Sequence, residues 1–179
     1  MADERAKADR MNATKVIVDP ITILMEEHEE GLKRLKDLES AANYIKANGF
    51  SLEAFTKIAG AIEYIDSQIR RHNEMEEKYL FPLLERHVNG PAYTMHNEHR
   101  ELWKNFSRLL ESVEDMQEGR IYATTVGELV ESSKSIVAQL SAHIRKENEV
   151  LFPMVKTLLT EEEYEQVRQD IVRVTRKAS

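Results

Sequence analysis

From Pro20 onward the apolar residues of this chain recur at steps of three and four, the spacing that lines up side chains on one face of an α-helix. Asp19-Pro20 supplies an N-cap and a first-turn proline. Ile21, Leu24, His28, Leu32, Leu35, Ala42 and Ile45 then share a face until Asn48-Gly49 signals a stop. A second stripe, opened by Ser51, reads Ile58, Ile62, Ile65, Ile69, His72, Glu76, Tyr79 and Leu83. Pro82 within it predicts a bend or an end, because an interior proline lacks a donor and clashes with the preceding turn. After Asn89-Gly90-Pro91 the third stripe runs through Met95, His99, Leu102 with Trp103, Phe106, Leu109 with Leu110, Val113 and Met116, closing at Gly119-Arg120. The fourth is Leu129, Ser133, Ile136, Leu140, His143, Glu147, Val150 and Met154, and Thr160 with Glu163 forms a capping box that predicts a short fifth helix.

Strand signals are absent, so the pattern predicts an all-α fold: an antiparallel, up-down-up-down four-helix bundle with a short C-terminal fifth helix. Residues 1–18 read as a polar lead-in, 19–160 as the bundle, and 161–179 as a helix packed on the bundle or extending from it. At 179 residues the chain fits one domain.

The polar residues embedded in the apolar stripes repeat at one offset. Adding 71 to His28, His72 and Glu76 gives His99, His143 and Glu147, and Leu80-Phe81-Pro82 recurs as Leu151-Phe152-Pro153. The chain is thus read as an internal two-fold pseudo-repeat. His28 stands 21 residues before Gly49 and His72 stands 23 after it; His99 and His143 bracket Arg120 by the same two numbers. At about 1.5 Å per residue, each hairpin brings its histidines to within about 3 Å of one height. The link between the halves is less balanced, since His72 lies 18 residues before Gly90 and His99 only nine after it. Residues 82–90 therefore either leave the bundle axis or overrun the third helix.

A carboxylate on an otherwise apolar face costs several kcal/mol if buried without a partner, and two facing each other cost more. Cations remove that cost. Imidazoles give nitrogen ligands, carboxylates give charge and can bridge, and an i,i+4 pair stacks both on one helical face. His28, His72, Glu76, His99, His143 and Glu147 are therefore the candidate metal ligands. They suit two ions better than one, because a tetrahedral site would use at most about four of the six.

Composition narrows the chemistry further. The chain has no cysteine, which excludes disulfides, thiolate metal sites and iron–sulfur clusters, so any metal is held by nitrogen and oxygen. A net charge of −7 disfavours nucleic-acid and anionic-membrane partners. No stretch reaches the roughly 18–20 apolar residues of a membrane span, and residues 1–15 lack the apolar core of a signal peptide; the expected location is the cytoplasm.

Glu27-His28, His72-x-x-x-Glu76 with Leu80-Phe81-Pro82, Glu98-His99, and His143-x-x-x-Glu147 with Leu151-Phe152-Pro153 together resemble the hemerythrin family of non-haem di-iron proteins, over roughly residues 20–160. The resemblance implies two iron ions with a bridging oxo or hydroxo group, and a small-molecule ligand: dioxygen, nitric oxide or peroxide. It implies binding, sensing, scavenging, stress response or iron donation more than enzymatic turnover. Oxygen carriers of this family typically use five histidines, with H-x-x-x-H on the third helix; here Met95 stands four before His99, and the last motif is H-x-x-x-E. The four-His, two-Glu set is instead similar to the repair-of-iron-centres proteins, whose usual cysteine-bearing N-terminal segment has no counterpart in this cysteine-free chain. His96 would add a fifth imidazole only if its helix were locally wound.

Two other readings stand beside this one. A ferritin-like di-iron oxidase or ferroxidase needs Glu-x-x-His pairs, and none of the four repeated histidines has Glu three positions before it. A metal-stabilised helical interaction module remains open, and so does the use of other divalent metals. Of the remaining polar and aromatic residues, Glu26-Glu27, Glu29-Glu30 and Glu161 to Glu163 read as solvated faces or helix N-terminal charge, and His87 as surface. Trp103 and Phe106 read as core, as does Tyr79, with hydrogen bonding to Glu76 as its alternative role. The two Leu-Phe-Pro copies read as bends that also seal the pocket.

Overall fold

The computed structural model describes residues 18–178, so the lead-in read over 1–18 lies outside the described residues apart from Val18. Five helices account for nearly all of them, with no strand among the described residues: α1 (Pro20–Asn48), α2 (residues 52–84), α3 (Pro91–Gln117), α4 (residues 123–158) and α5 (Glu161–Ala178). Three helix starts are capped as the sequence predicts. Asp19 accepts from the Ile21 amide at 3.4 Å with Pro20 at the first helical position, and Ser51 accepts from Ala54 at 3.4 Å. Thr160 and Glu163 form a reciprocal box, each side chain accepting from the other's backbone N–H at 3.1 and 3.3 Å. Gly49 (φ 85°) and Gly90 (φ 111°) turn the chain with backbone angles that a side chain would strain.

Two of the helices are not regular. Residues 65–69 and 76–80 of α2, and 147–151 of α4, are single π turns, in which the Phe81 amide bonds to Glu76 and the Phe152 amide to Glu147, five residues back. Pro82 and Pro153 follow directly. The widened turn relieves the clash that a proline ring makes with the carbonyl four residues earlier, so α2 neither stops nor breaks at Pro82 but continues to Leu84. The inserted residue also shifts the apolar face by one position. Leu80 and Leu151 are buried where a uniform period predicted Tyr79 and Val150, and Val150 is 54% exposed. Val155 likewise takes the buried place expected for Met154.

α4 packs against both α1 and α3, and α1 against α2. The apolar interior falls into two clusters. One gathers Leu35, Leu38 and Ile45 of α1, Ile58 to Ile69 of α2, Leu102 to Met116 of α3 and Leu129 to Ile144 of α4. The other joins Ile21, Leu24, Leu80, Phe81, Leu84, Met95, Leu151, Phe152 and Val155 to Val167 and Ile171 of α5. On every helix the candidate ligands fall, by sequence position, where residues of the first cluster give way to residues of the second.

The second cluster also takes in part of the segment 82–90. α2 buries Leu83 and Leu84 in that cluster, and the turn that follows it meets α5, where His87 Nε2 lies 2.6 Å and Arg86 3.5 Å from Glu163. His87 is exposed, as the sequence reading has it, and there it pairs with Glu163. Asp19 fastens the same end, accepting from Tyr164 of α5 and, at 3.1 Å, from Lys156 of α4.

Candidate metal centre

All six predicted site residues converge in one buried cluster. His28 comes from α1, His72 and Glu76 from α2, His99 from α3, His143 and Glu147 from α4. The i,i+4 pairs sit at the start of their π turns, so the chain widens immediately after presenting each carboxylate. The imidazoles gather in pairs, with ring centroids 4.5 Å apart for His28 and His72 and 4.7 Å for His99 and His143.

The carboxylates lie between the pairs. Glu147 approaches His28 Nε2 and His143 Nε2 at 3.1 Å each and His99 Nε2 at 4.0 Å, while Glu76 is 3.5 Å from His72 Nε2 and 3.7 Å from His99 Nε2. Ligand atoms close enough to share an ion therefore form two groups: His28, His72, Glu76 and Glu147; and Glu76, His99, His143 and Glu147. Both carboxylates belong to both. His96 joins neither: it is partly exposed, 3.5 Å from Glu77 and edge-on to Phe81.

Every imidazole turns its Nε2 inward and is gripped from behind at Nδ1. Asn148 accepts from His28 at 2.8 Å, Glu27 from His72 at 2.8 Å, Glu77 from His99 at 2.6 Å and Glu98 from His143 at 3.0 Å. Such contacts fix ring orientation and tautomer and raise the basicity of the inward nitrogen. Glu27 is itself held by Arg71 at 2.6 Å and Glu98 by Lys146 at 2.5 Å.

These four partners were missed from the sequence, and reading Glu27 as a solvated charge is corrected by its contacts. A signal was present: each stands next to a candidate ligand, and the pairs 27/98 and 77/148 obey the 71-residue offset. The aromatic residue of each Leu-Phe-Pro copy covers one histidine, Phe81 stacking on His99 at 5.8 Å and Phe152 on His28 at 5.4 Å. Tyr79 makes no hydrogen bond to Glu76; it packs on the second apolar cluster.

The electrostatics show what the cluster lacks. Both oxygens of Glu76 and of Glu147, and His72 Nε2, are buried with no hydrogen-bond partner; the nearby imidazole nitrogens are close but misaligned as donors. His99 Nε2 and His143 Nε2 face each other at 3.0 Å. Left alone, this arrangement recruits protons. Burial opposes charge on His72, yet Glu76 and Glu27 overcome it and push the imidazole up to about 10. In His143 burial is likewise overcome, by Glu147 and Glu76, to about 9. Burial raises the Glu147 carboxyl, but His143 and His28 hold it well below the usual carboxylate range. Burial pushes His99 down, against the pull of Glu76 and with the help of His143. Two orphaned carboxylates ringed by imidazoles, all with oriented lone pairs, fit divalent or trivalent cations.

Fold and site together define an all-helical protein with a buried cation-binding centre of histidine and glutamate. The chain belongs to the hemerythrin HHE cation-binding domain family, whose model matches residues 19–155 and again residues 91–174. Among curated proteins nothing matches the chain.

Proposed function

We propose that this protein holds a di-iron centre and that the centre meets a small oxidant or diatomic molecule: dioxygen, nitric oxide or peroxide. One position is held by His28 and His72, the other by His99 and His143, with Glu76 and Glu147 bridging. The observation that carries this reading is the membership of both carboxylates in both four-residue groups. The two hairpins form an up-down-up-down bundle, and their matched arms make the site a pseudo-twofold arrangement. Two iron ions linked by an oxo or hydroxo group supply redox chemistry and an exchangeable coordination position.

The chain's own contribution is preparation. Glu27, Glu77, Glu98 and Asn148 orient the imidazoles, Phe81 and Phe152 keep water from two of them, and the π turns aim the bridging carboxylates inward. Iron is favoured over other divalent metals by membership of the family, since nitrogen and carboxylate ligands alone accept several.

A purely structural centre is the second reading, supported by the near-complete burial of all six residues. Anaerobic loading with ferrous ion, followed by optical spectroscopy during exposure to dioxygen and then nitric oxide, separates the two. New charge-transfer bands are expected. A spectrum unchanged by both molecules contradicts the reactive centre and favours the structural one.

A further inference from the structure

The repeat that builds the centre is broken at one of its supporting positions, where Glu77 in the first half corresponds to Asn148 in the second. We infer that this break makes the two ion positions unequal, and that the His99–His143 position fills first; the inference rests on the two-ion reading above.

The two positions share Glu76 and Glu147, so any difference in affinity arises from their histidines and what stands behind them. His72 and His143 are matched: each donates to a carboxylate, Glu27 or Glu98, that is itself neutralised by a cation, Arg71 at 2.6 Å or Lys146 at 2.5 Å. His99 and His28 are not matched. Behind His99 stands the Glu77 carboxylate at 2.6 Å, and behind His28 the neutral amide oxygen of Asn148 at 2.8 Å.

Among the described residues no Lys or Arg forms an ion pair with Glu77, whose charged neighbours are His96 and His99. Counting formal charges behind each pair, Glu27 and Arg71 cancel on the His28–His72 side. Glu98 and Lys146 cancel on the other, leaving Glu77 as one uncompensated negative charge. That charge acts through a hydrogen bond that makes the His99 imidazole a stronger donor to metal. The amide opposite does this more weakly. Glu77 and Asn148 are positioning residues: they touch the histidines, not the ion.

The test is a calorimetric titration of the metal-free full-length chain with cobalt(II) under inert gas. Two cobalt ions per chain are expected, in two steps differing on the order of 10–100-fold in affinity, the usual effect of a supporting partner. Glu77→Gln should weaken the tighter step by that factor and leave the weaker one in place, merging the two. Asn148→Asp should tighten the weaker step and narrow the gap from the other side.

Proton NMR supplies a readout that a general loss of packing would not move. At one equivalent of cobalt, the hyperfine-shifted Nδ1–H of His99, identified by its displacement in E77Q, should appear before that of His28, displaced in N148D. Two equal steps in the wild-type chain, or a Glu77→Gln effect on the weaker step, overturns the inference while leaving two ions bound. So does Asn148→Asp leaving the gap unchanged, and this arm remains decisive if E77Q fails to fold. Fewer than two cobalt ions on the wild-type chain overturns the inference together with the reading beneath it.

Discussion

Glu76 and Glu147 carry the heaviest demand in the molecule, because each lies within reach of both imidazole pairs and has no hydrogen-bond partner of its own. Glu76→Ala or Glu147→Ala should therefore lower loading below two metal ions per chain by elemental analysis, whereas His96→Ala should leave it unchanged. Loading of two in either glutamate variant refutes bridging. The same residues set a pH dependence for the metal-free protein. His72 and His143 are raised from an ordinary 6.5 to about 10 and about 9, so their protonation stabilises the fold fully below about pH 6.5, and that contribution is lost as pH rises through 9 to 10. Thermal melts of metal-free protein should accordingly show a lower midpoint at pH 10 than at pH 7; a midpoint that rises over this interval contradicts the assignment. The six inward residues were legible because a charged or imidazole side chain on an apolar stripe violates the pattern. Glu27, Glu77, Glu98 and Asn148 were not, because each belongs to the polar flank of its own helix and acts across a gap on a histidine of another. Periodicity along one helix is silent about such pairings.

At the scale of the element, the helices and three of their caps followed from spacing and turn residues, while the buried face was misplaced after two π turns, at 76–80 and 147–151. A period of 3.6 counts residues correctly only while every turn is regular. The extra residue after Glu76 and after Glu147 moved the apolar face from Tyr79 to Leu80 and from Val150 to Leu151. The cue was the proline six residues beyond each glutamate, which demands some local adjustment without saying which. Substitutions at neighbouring positions distinguish the two phases. Val150→Lys should change stability by no more than about 0.5 kcal/mol, while Leu151→Ala should cost about 2–5 kcal/mol in denaturant unfolding. The opposite ranking would mean a regular α-helical phase through this segment.

For the molecule as a whole, the centre lies between two apolar clusters and draws ligands from four helices, so metal binding and tertiary packing are one linked equilibrium. Removing metal with a chelator should lower the melting midpoint while leaving the helices largely formed, because both clusters persist without the ion; binding at 100 times the dissociation constant adds about 2.7 kcal/mol. An unchanged midpoint would mean that the ion lies outside this junction. The closing of one end by α5 was only partly readable. The capping box announced the helix, but its docking depends on Val167 and Ile171 joining the second apolar cluster, a contact that no local pattern encodes. The central claim, that four histidines and two glutamates hold a pair of ions, is tested most directly by crystals of iron-loaded protein measured at the iron absorption edge. The account expects two anomalous-scattering peaks, one against His28 and His72 and one against His99 and His143, with Glu76 and Glu147 touching both. A single peak, or iron bound away from these residues, would contradict it.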